Sequence, residues 1–365
     1  MTPKSFDLDH LRALAATVRH GDLGMASVET GLPQSGIIQA IARLEALTGH
    51  NLMSREAGVT APSDAGVLLA ARAEAAVAAL ADDREVTMTH VAALVALAEG
   101  DIQARGAVAQ LEQLVGVSLA DGAALNKAGA RLAGACRLAM GELQAGLDEL
   151  AVLAGRDQGS VRVAAHPSAL ARLLPEAMTR FIAEHRPVVL DAQPLGADAA
   201  ERLADGRVDM IVTLDGPQLG AFERTALTGD PLVIAGRAGH ALAGGGLPGL
   251  VRLASENWVL PPPGSEERAA FEDIFIAGGI YPPTPGITCP DGASALDLAE
   301  RANLLTLVSK ALVAASGGRM AAIGGALAER RMLVVATRRD WAPTPAQATF
   351  IDELRTAAAA EWMSF

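Results

Sequence analysis

The sequence predicts a multidomain α plus α/β chain: an N-terminal winged helix-turn-helix, a truncated second helical module with a linker helix, and a C-terminal two-lobed α/β domain. Three observations predict it. At 365 residues the chain is longer than one usual domain of roughly 150. Its N-terminal part repeats itself once. After the polar linker Gly155-Arg-Asp-Gln-Gly-Ser160 the pattern changes to strands and helices in alternation. The expected divisions are residues 1–82, 83–155 and 159–365.

The first block opens with Leu8 to Arg19, where Leu8, Leu11, Leu14, Ala15 and Val18 recur at the spacing of an amphipathic helix that Gly21 ends. A short helix follows from about Gly24 to Thr30. Gly31 then turns the chain, and Pro33 opens a helix from Gln34 to Leu47 with Ile37, Ile41, Leu44 and Leu47 facing inward. Two helices joined across a glycine turn form a helix-turn-helix. Residues 49–62, with Gly49, Gly58, Val59, Thr60 and Pro62, suit a short β wing, and Ser63 caps a helix from Asp64 to Ala81 that is half alanine. Its place after a winged module points to pairing with a partner helix.

The repeat lies in two blocks. Leu8-Asp-His-Leu-Arg-Ala-Leu14 returns as Met88-Thr-His-Val-Ala-Ala-Leu94, and Ile41-Ala-Arg-Leu-Glu-Ala-Leu-Thr-Gly-His-Asn-Leu52 returns as Val108-Ala-Gln-Leu-Glu-Gln-Leu-Val-Gly-Val-Ser-Leu119. The offset falls from 80 to 67 between them, so the second copy lacks thirteen residues (80 minus 67) where the turn and the start of its third helix belong. A third match, Ala65-Gly66 with Ala128-Gly129, is offset by 63. A long helix from Lys127 to Leu153 follows, with Leu132, Leu138, Leu143, Leu147 and Leu150 available for packing. The second copy reads as a scaffold or pairing segment rather than a second reading head.

Beyond the linker, strands are expected at Val161–Ala165, Val188–Ala192, Val208–Val212, Pro231–Ala235, Trp258–Leu260, Leu304–Val308 and Met332–Thr337. Helices are expected at Ala169–His185, Ala197–Ala204, Glu266–Ala277, Gly292–Arg301 and Pro345–Ala360.

Composition narrows the function classes. Half of the chain is hydrophobic, so it can bury a core and is expected to be a soluble globular protein. Aromatics are 3% and the net charge is −12, which argues against a nucleic-acid binder built on stacking platforms or on a basic surface. The longest uncharged run, Ile274 to Pro290, contains four prolines and three glycines and cannot be a membrane helix. The first residues lack the apolar core of a signal peptide, so a cytoplasmic location is expected. Cys136 and Cys289 form no CxxC pair and are expected to be inert thiols. The seven histidines show no metal-ligand spacing, and His166 with Ser168 has neither a GxSxG elbow nor an orienting acid. No cofactor, metal or catalytic activity is expected.

Phe6-Asp-Leu-Asp-His-Leu-Arg12, Pro33-Gln34-Ser35 leading to Arg43-Leu44-Glu45, Leu52-Met53-Ser54-Arg55 and Pro62-Ser63-Asp64-Ala65-Gly66 together resemble the N-terminal part of LysR-type transcriptional regulators. Gly159-Ser-Val-Arg-Val163 with Leu174-Pro175, Arg202-Leu-Ala-Asp-Gly206 with Val208-Asp209, Leu260-Pro-Pro-Pro-Gly-Ser265 and Thr337-Arg-Arg-Asp340 resemble that family's effector domain. The resemblance implies a helix from Gln34 in the major groove of promoter DNA, a wing on the backbone, and an Ala-rich helix pairing subunits into dimers or tetramers. It also implies a domain with the fold of periplasmic solute-binding proteins, holding a small-molecule effector between its lobes. Gln34, Ser35 and Gln39 are then available for base edges and Arg43 and Arg55 for phosphates. The sequence departs from the family at Ile38-Gln39 and in the wing Glu56-Ala-Gly-Val-Thr-Ala61, and residues 1–82 carry six basic against nine acidic groups.

Physics points to the same cleft. Ligands of open α/β sheets bind beyond the carboxyl ends of strands, where helix N-termini favour anions. His166-Pro-Ser168 and Pro263-Gly264-Ser265 each place a hydroxyl at such a junction, and Thr213 ends a third strand. Ser168 and Ser265 equally suit plain helix caps. The resemblance adds Gly292-Ala293, a position the family's ligand cleft often uses; it offers no polar side chain here, which favours an apolar or aromatic organic acid over a sugar. The alternative reading is a ligand sensor or interaction protein that has lost specific DNA binding.

Overall fold

The computed structural model describes residues 2–56, 59–80, 86–328 and 331–362. The first module consists of α1 (Leu8–His20), α2 (Leu23–Thr30), α3 (Gln34–Thr48), the hairpin β1 (Met53–Glu56) and β2 (Val59–Pro62), and α4 (Asp64–Ala79). Its helix starts follow its side chains: Asp7 caps α1, Asp22 caps α2, and the Ser63 hydroxyl accepts from the Gly66 N–H at 3.1 Å to start α4. Gly21, Gly31 and Gly49 end α1, α2 and α3 in the left-handed region that costs glycine little.

The second copy repeats this plan in shortened form: α5 (Met88–Ala98), a single 3-10 turn at Ile102–Ala104 where the first copy has α2, then α6 (Arg105–Val115). The hairpin β3 (Ala120–Asp121) and β4 (Ala124–Leu125) leads into α7 (Lys127–Leu153). The correspondence extends to single bonds. Glu45 Oε1 accepts from the N–H groups of Leu52 and Met53, at 2.8 and 3.2 Å, and Glu112 Oε1 accepts from Leu119 and Ala120, at 2.7 and 2.9 Å. Those bonds, the Leu119 N–H foremost, hold the Glu112 carboxyl below the usual carboxylate range.

Both copies bury their apolar faces in one continuous core that includes Leu14, Leu44, Leu69, Leu94, Leu111 and Leu143. The alanine-rich α4, expected to pair subunits, packs against α7 of its own chain.

The C-terminal part forms two lobes. Their elements, in chain order, are β5 (Ser160–Ala165), α8 (Leu174–Glu184), β6 (Val189–Pro194), α9 (Ala199–Ala204), β7 (Met210–Leu214), β8 (Glu223–Gly229), β9 (Leu232–Arg237), α10 (Leu250–Ala254), β10 (Trp258–Leu260), α11 (Glu266–Ala277), β11 (Ile287–Thr288), α12 (Gly292–Ala302), β12 (Leu305–Ser309), α13 (Lys310–Ala315), β13 (Met320–Ala328), β14 (Met332–Thr337) and α14 (Pro345–Trp362).

The first sheet has the order β6-β5-β7-β14-β8, the second β11-β10-β12-β9-β13. In each, the early strands pair in parallel and the crossing strands antiparallel. The chain passes between lobes twice, from β8 to β9 and from β13 to β14. Asp230 and Arg331 stand on those two crossings, joined by Asp230 N–H donating to the Arg331 carbonyl at 2.8 Å. Phe181 meets Phe350 edge-on in the first lobe, at 5.5 Å between centroids, and Trp258 meets Phe271 in the second, at 4.7 Å.

Among the described residues no helix is long and apolar enough to cross a membrane, and no cluster of His, Cys, Asp and Glu is arranged for a metal.

Candidate nucleic-acid interface and interlobe cleft

Helix α3 can present a fixed outer face because its inner face is anchored. Ile37, Ala40, Ile41 and Leu44 are buried, and Glu45 ties its last turn to the wing. Gln34, Ser35, Ile38, Gln39, Ala42 and Arg43 lie exposed on the other side. Four of the five sequence candidates therefore share one face. Arg43 extends beside His10, with Nη1 3.5 Å from Nε2. Arg55 lies on β1 opposite Thr60. Its side chain, like the wing tip at 57–58, is outside the described residues.

Ile38 was not among the candidates, although it is 54% exposed at the centre of this face. Its register, one residue off the buried pair Ile37 and Ile41, is the signal that marks it as outward. An isoleucine there can contact a thymine methyl.

The acidity of the first module is partly internal. Arg19, half exposed, is held by Glu29 at 2.6 Å and by Glu74, and Arg72, on α4, is buried against Glu142 and Glu149, so both cations are committed to carboxylates. The second module lacks a comparable face. With the offset of 67, Gln110 stands where the first copy has Arg43, and Arg105 turns inward to Glu112 and to the Gly122 carbonyl, each at 2.9 Å.

The cleft between the two lobes encloses about 230 Å³. His166 and Ser168 line it from the first lobe, Ser265 and Gly292 from the second, with Pro261, Pro262 and Leu307 supplying apolar wall. Thr213, Pro263 and Gly264 are not part of this lining. Thr213 lies within its sheet, in register with Val334, and Pro263 and Gly264 occupy the exposed outside of a turn that Gly264 reverses at φ +86°. The two prolines before them face the cleft instead.

Ser168 does not cap a helix as its position suggested. The chain enters α8 through a wide turn at Ala169–Leu173, and the buried Ser168 hydroxyl lies 2.7 Å from His166 Nδ1. The Ser168 backbone N–H also points at Nδ1, at 3.3 Å. A backbone N–H can only donate, so Nδ1 accepts and the ring proton sits on Nε2. Burial lowers the His166 pKa, and the ring is neutral at pH 7. Ser265 does cap its helix: its hydroxyl accepts from Arg268 N–H at 3.2 Å and donates to the Pro262 carbonyl at 3.0 Å. At Gly292 a side chain would meet Leu312, since a Cβ would lie 2.9 Å from its Cδ1.

Arg331 was not visible as a site residue in the sequence, where an arginine preceding a strand reads as a solvated flank. Only the double crossing between lobes brings it to the cleft. Its side chain is 8% exposed, with Nη2 3.3 Å from both Asp230 Oδ2 and Glu267 Oε1. Its Nε and Nη1 are buried without a partner among the described residues. Asp230 also accepts the Ser309 hydroxyl. Unused donors on a buried guanidinium are costly, and each suits a charged acceptor oxygen such as that of a carboxylate.

Comparison with known proteins fits this two-part geometry. Residues 8–67 match the family model of bacterial regulatory helix-turn-helix proteins of the lysR family. Residues 154–359 match the LysR substrate binding domain. The chain is 33% identical over 180 residues to the HTH-type transcriptional regulator GalR of Pseudomonas putida, covering 47% of this chain and 44% of that protein. It is 30% identical over 179 residues to a RuBisCO operon transcriptional regulator of Acidithiobacillus ferrooxidans, covering 47% and 57%. The chain spans about half the length of the curated relatives it matches. Full-length CbnR, crystallised with its target DNA, aligns over 96% of this chain and 99% of its own with 17% identity and a TM-score of 0.47. With an N-terminal helix-turn-helix, a C-terminal two-lobed domain and a family model matched across more than half its length, this chain belongs to the LysR family.

Proposed function

We propose that this protein is a DNA-binding transcription regulator, not an enzyme, acting in the cytoplasm and controlled by a small organic acid held between the lobes of its C-terminal domain. The observation that carries the DNA half is the exposed face of α3, where Gln34, Ser35, Ile38, Gln39 and Arg43 stand together on an anchored helix. Polar amides there suit base edges and Arg43 suits a phosphate. In the cleft, Arg331 receives the carboxylate, neutral His166 donates from Nε2, and the proline and leucine wall takes the apolar body. Binding across lobes joined by two crossing strands favours the closed arrangement and passes that preference to the N-terminal modules.

The test is titration of the purified protein against DNA upstream of its own coding sequence. The regulator reading predicts protection of a defined site at low salt. Absence of protection of any sequence at low salt, from a folded protein, contradicts it.

One observation favours a second reading, a ligand sensor without specific DNA binding. Arg19 and Arg72 are bound to carboxylates, so the first module offers few cations to phosphate.

A further inference from the structure

The two N-terminal modules are copies of one design, and they are packed through equivalent helices. Gly66 at the start of α4 lies against the Leu52 carbonyl, where a Cβ would stand 2.0 Å away; Gly129 at the start of α7 lies against the Leu119 carbonyl, where it would stand at 1.9 Å. Ser63 N–H donates to Leu52 and Asn126 N–H to Leu119, each at 3.0 Å. Helix α4 rests on α1 of its own module, and α7 rests on α5.

Across the two modules, α4 packs on α7, burying Leu69, Ala70, Ala73 and Ala76 on one helix and Ala139, Leu143, Leu147 and Leu150 on the other within one core. Gly146 allows the close approach: a Cβ there would lie 3.3 Å from the Arg72 Cβ and from Leu69 Cδ1. Arg72 then clasps Glu142 and Glu149 of α7.

We infer that the second module is the first module's own pairing partner, carried in the same chain. Helix α7 occupies the face of α4 that a second copy of the protein would need, so self-association, where it occurs, uses another surface. The loss of a counterpart to α2, the replacement of Arg43 by Gln110 and the inward turn of Arg105 fit a copy kept for packing alone. Resting on the proposed reading of DNA, each chain then carries a single reading helix and covers one half-site.

The test is isotopic. In the 365-residue chain, Arg72→Cys and Gly146→Cys are combined, with Cys136 and Cys289 replaced by alanine. The 3.3 Å Cβ separation is close to the roughly 3.5–4.5 Å that a disulfide spans. Light and nitrogen-15-labelled chains are mixed in urea, refolded together, oxidised and digested. The expected disulfide peptides joining positions 72 and 146 are wholly light or wholly heavy, and mixed peptides in statistical proportion overturn the inference. Hydrogen exchange on the unaltered protein covers a variant that fails to fold. Protection of α4 and α7 is expected to be unchanged over about a hundredfold dilution, and its loss on dilution overturns the inference. Neither result depends on whether the protein binds DNA.

Discussion

Arg72, on the alanine-rich helix α4, donates from Nη1 to the backbone carbonyl of Ala342 at 2.9 Å, and from the same nitrogen to Glu142 Oε2 at 2.7 Å. One buried guanidinium thus joins the first module, the second module and the C-terminal domain. Burial works against its charge, but the bonds to Glu149 and Glu142 outweigh this and raise its pKa further. Arg72→Met strands two carboxylates and a carbonyl, and is expected to cost about 3–5 kcal/mol in urea unfolding. Adding Glu142→Gln and Glu149→Gln should recover part of that loss. A cost below about 1 kcal/mol would show that the junction is solvated rather than buried.

The paired glycines give a second check on the duplicated design. Gly66→Ala and Gly129→Ala each drive a methyl group into a backbone carbonyl that cannot swing aside. Each is expected to cost about 1–3 kcal/mol. Gly141, inside α7 with nothing within 4 Å of a Cβ, is the control. Gly141→Ala should stabilise by about 0.5–1 kcal/mol, because alanine is the better helix former. Equal effects at all three sites would contradict the packing described.

The buried His166 makes stability depend on pH in a defined direction. Unfolded, the ring titrates near its ordinary value of about 6.5, whereas burial holds the folded pKa lower. Above about pH 6.5 both states are neutral and His166 contributes no slope. As pH falls from there toward the folded pKa, the unfolded chain takes up a proton that the folded chain refuses, and stability declines. His166→Gln is expected to remove that part of the slope, seen as the difference between the two unfolding curves across the window. A wild-type curve parallel to the variant's would contradict a neutral ring.

The two thiols should behave differently. Burial pushes the Cys136 pKa up to about 12, which leaves almost no thiolate at neutral pH, whereas Cys289 is partly exposed and lines the cleft. A maleimide or disulfide reagent is expected to label Cys289 in the folded protein and Cys136 only after denaturation. Rapid labelling of Cys136 in the native state would mean that the shared core opens.

Much of this architecture was legible because the sequence is locally consistent. The helix at Lys127–Leu153 and the strands Trp258–Leu260 and Met332–Thr337 have the expected bounds, since capping residues and apolar runs fix their ends. The strand at Met320–Ala328 was missed because its alanines and glycines carry no alternation; Gly324, at φ +73°, bends it against Leu247. Glu223–Gly229 was missed because an edge strand with half its residues polar resembles a loop.

At the candidate site, local grammar pointed to His166, Ser168 and Ser265 at the ends of strands or starts of helices, and the family resemblance to Gly292; all four line the cleft. Arg331 and the pairing of α4 with α7 depend on contacts between residues distant in sequence, which no local pattern encodes. Thr213, Pro263 and Gly264 were drawn in by the same grammar, but it does not say which way a strand residue or a turn faces.

If the first module reads DNA while the second supports it, the salt dependence of DNA affinity must differ between two arginine variants. Each phosphate contact contributes about −0.9 to the slope of log affinity against log salt. Arg43→Ala is expected to flatten the slope by roughly 1, whereas Arg105→Gln, removing a cation committed to Glu112 and Gly122, should leave it unchanged. Equal flattening by both variants, or none with Arg43→Ala, would show that the first module is not the reading head.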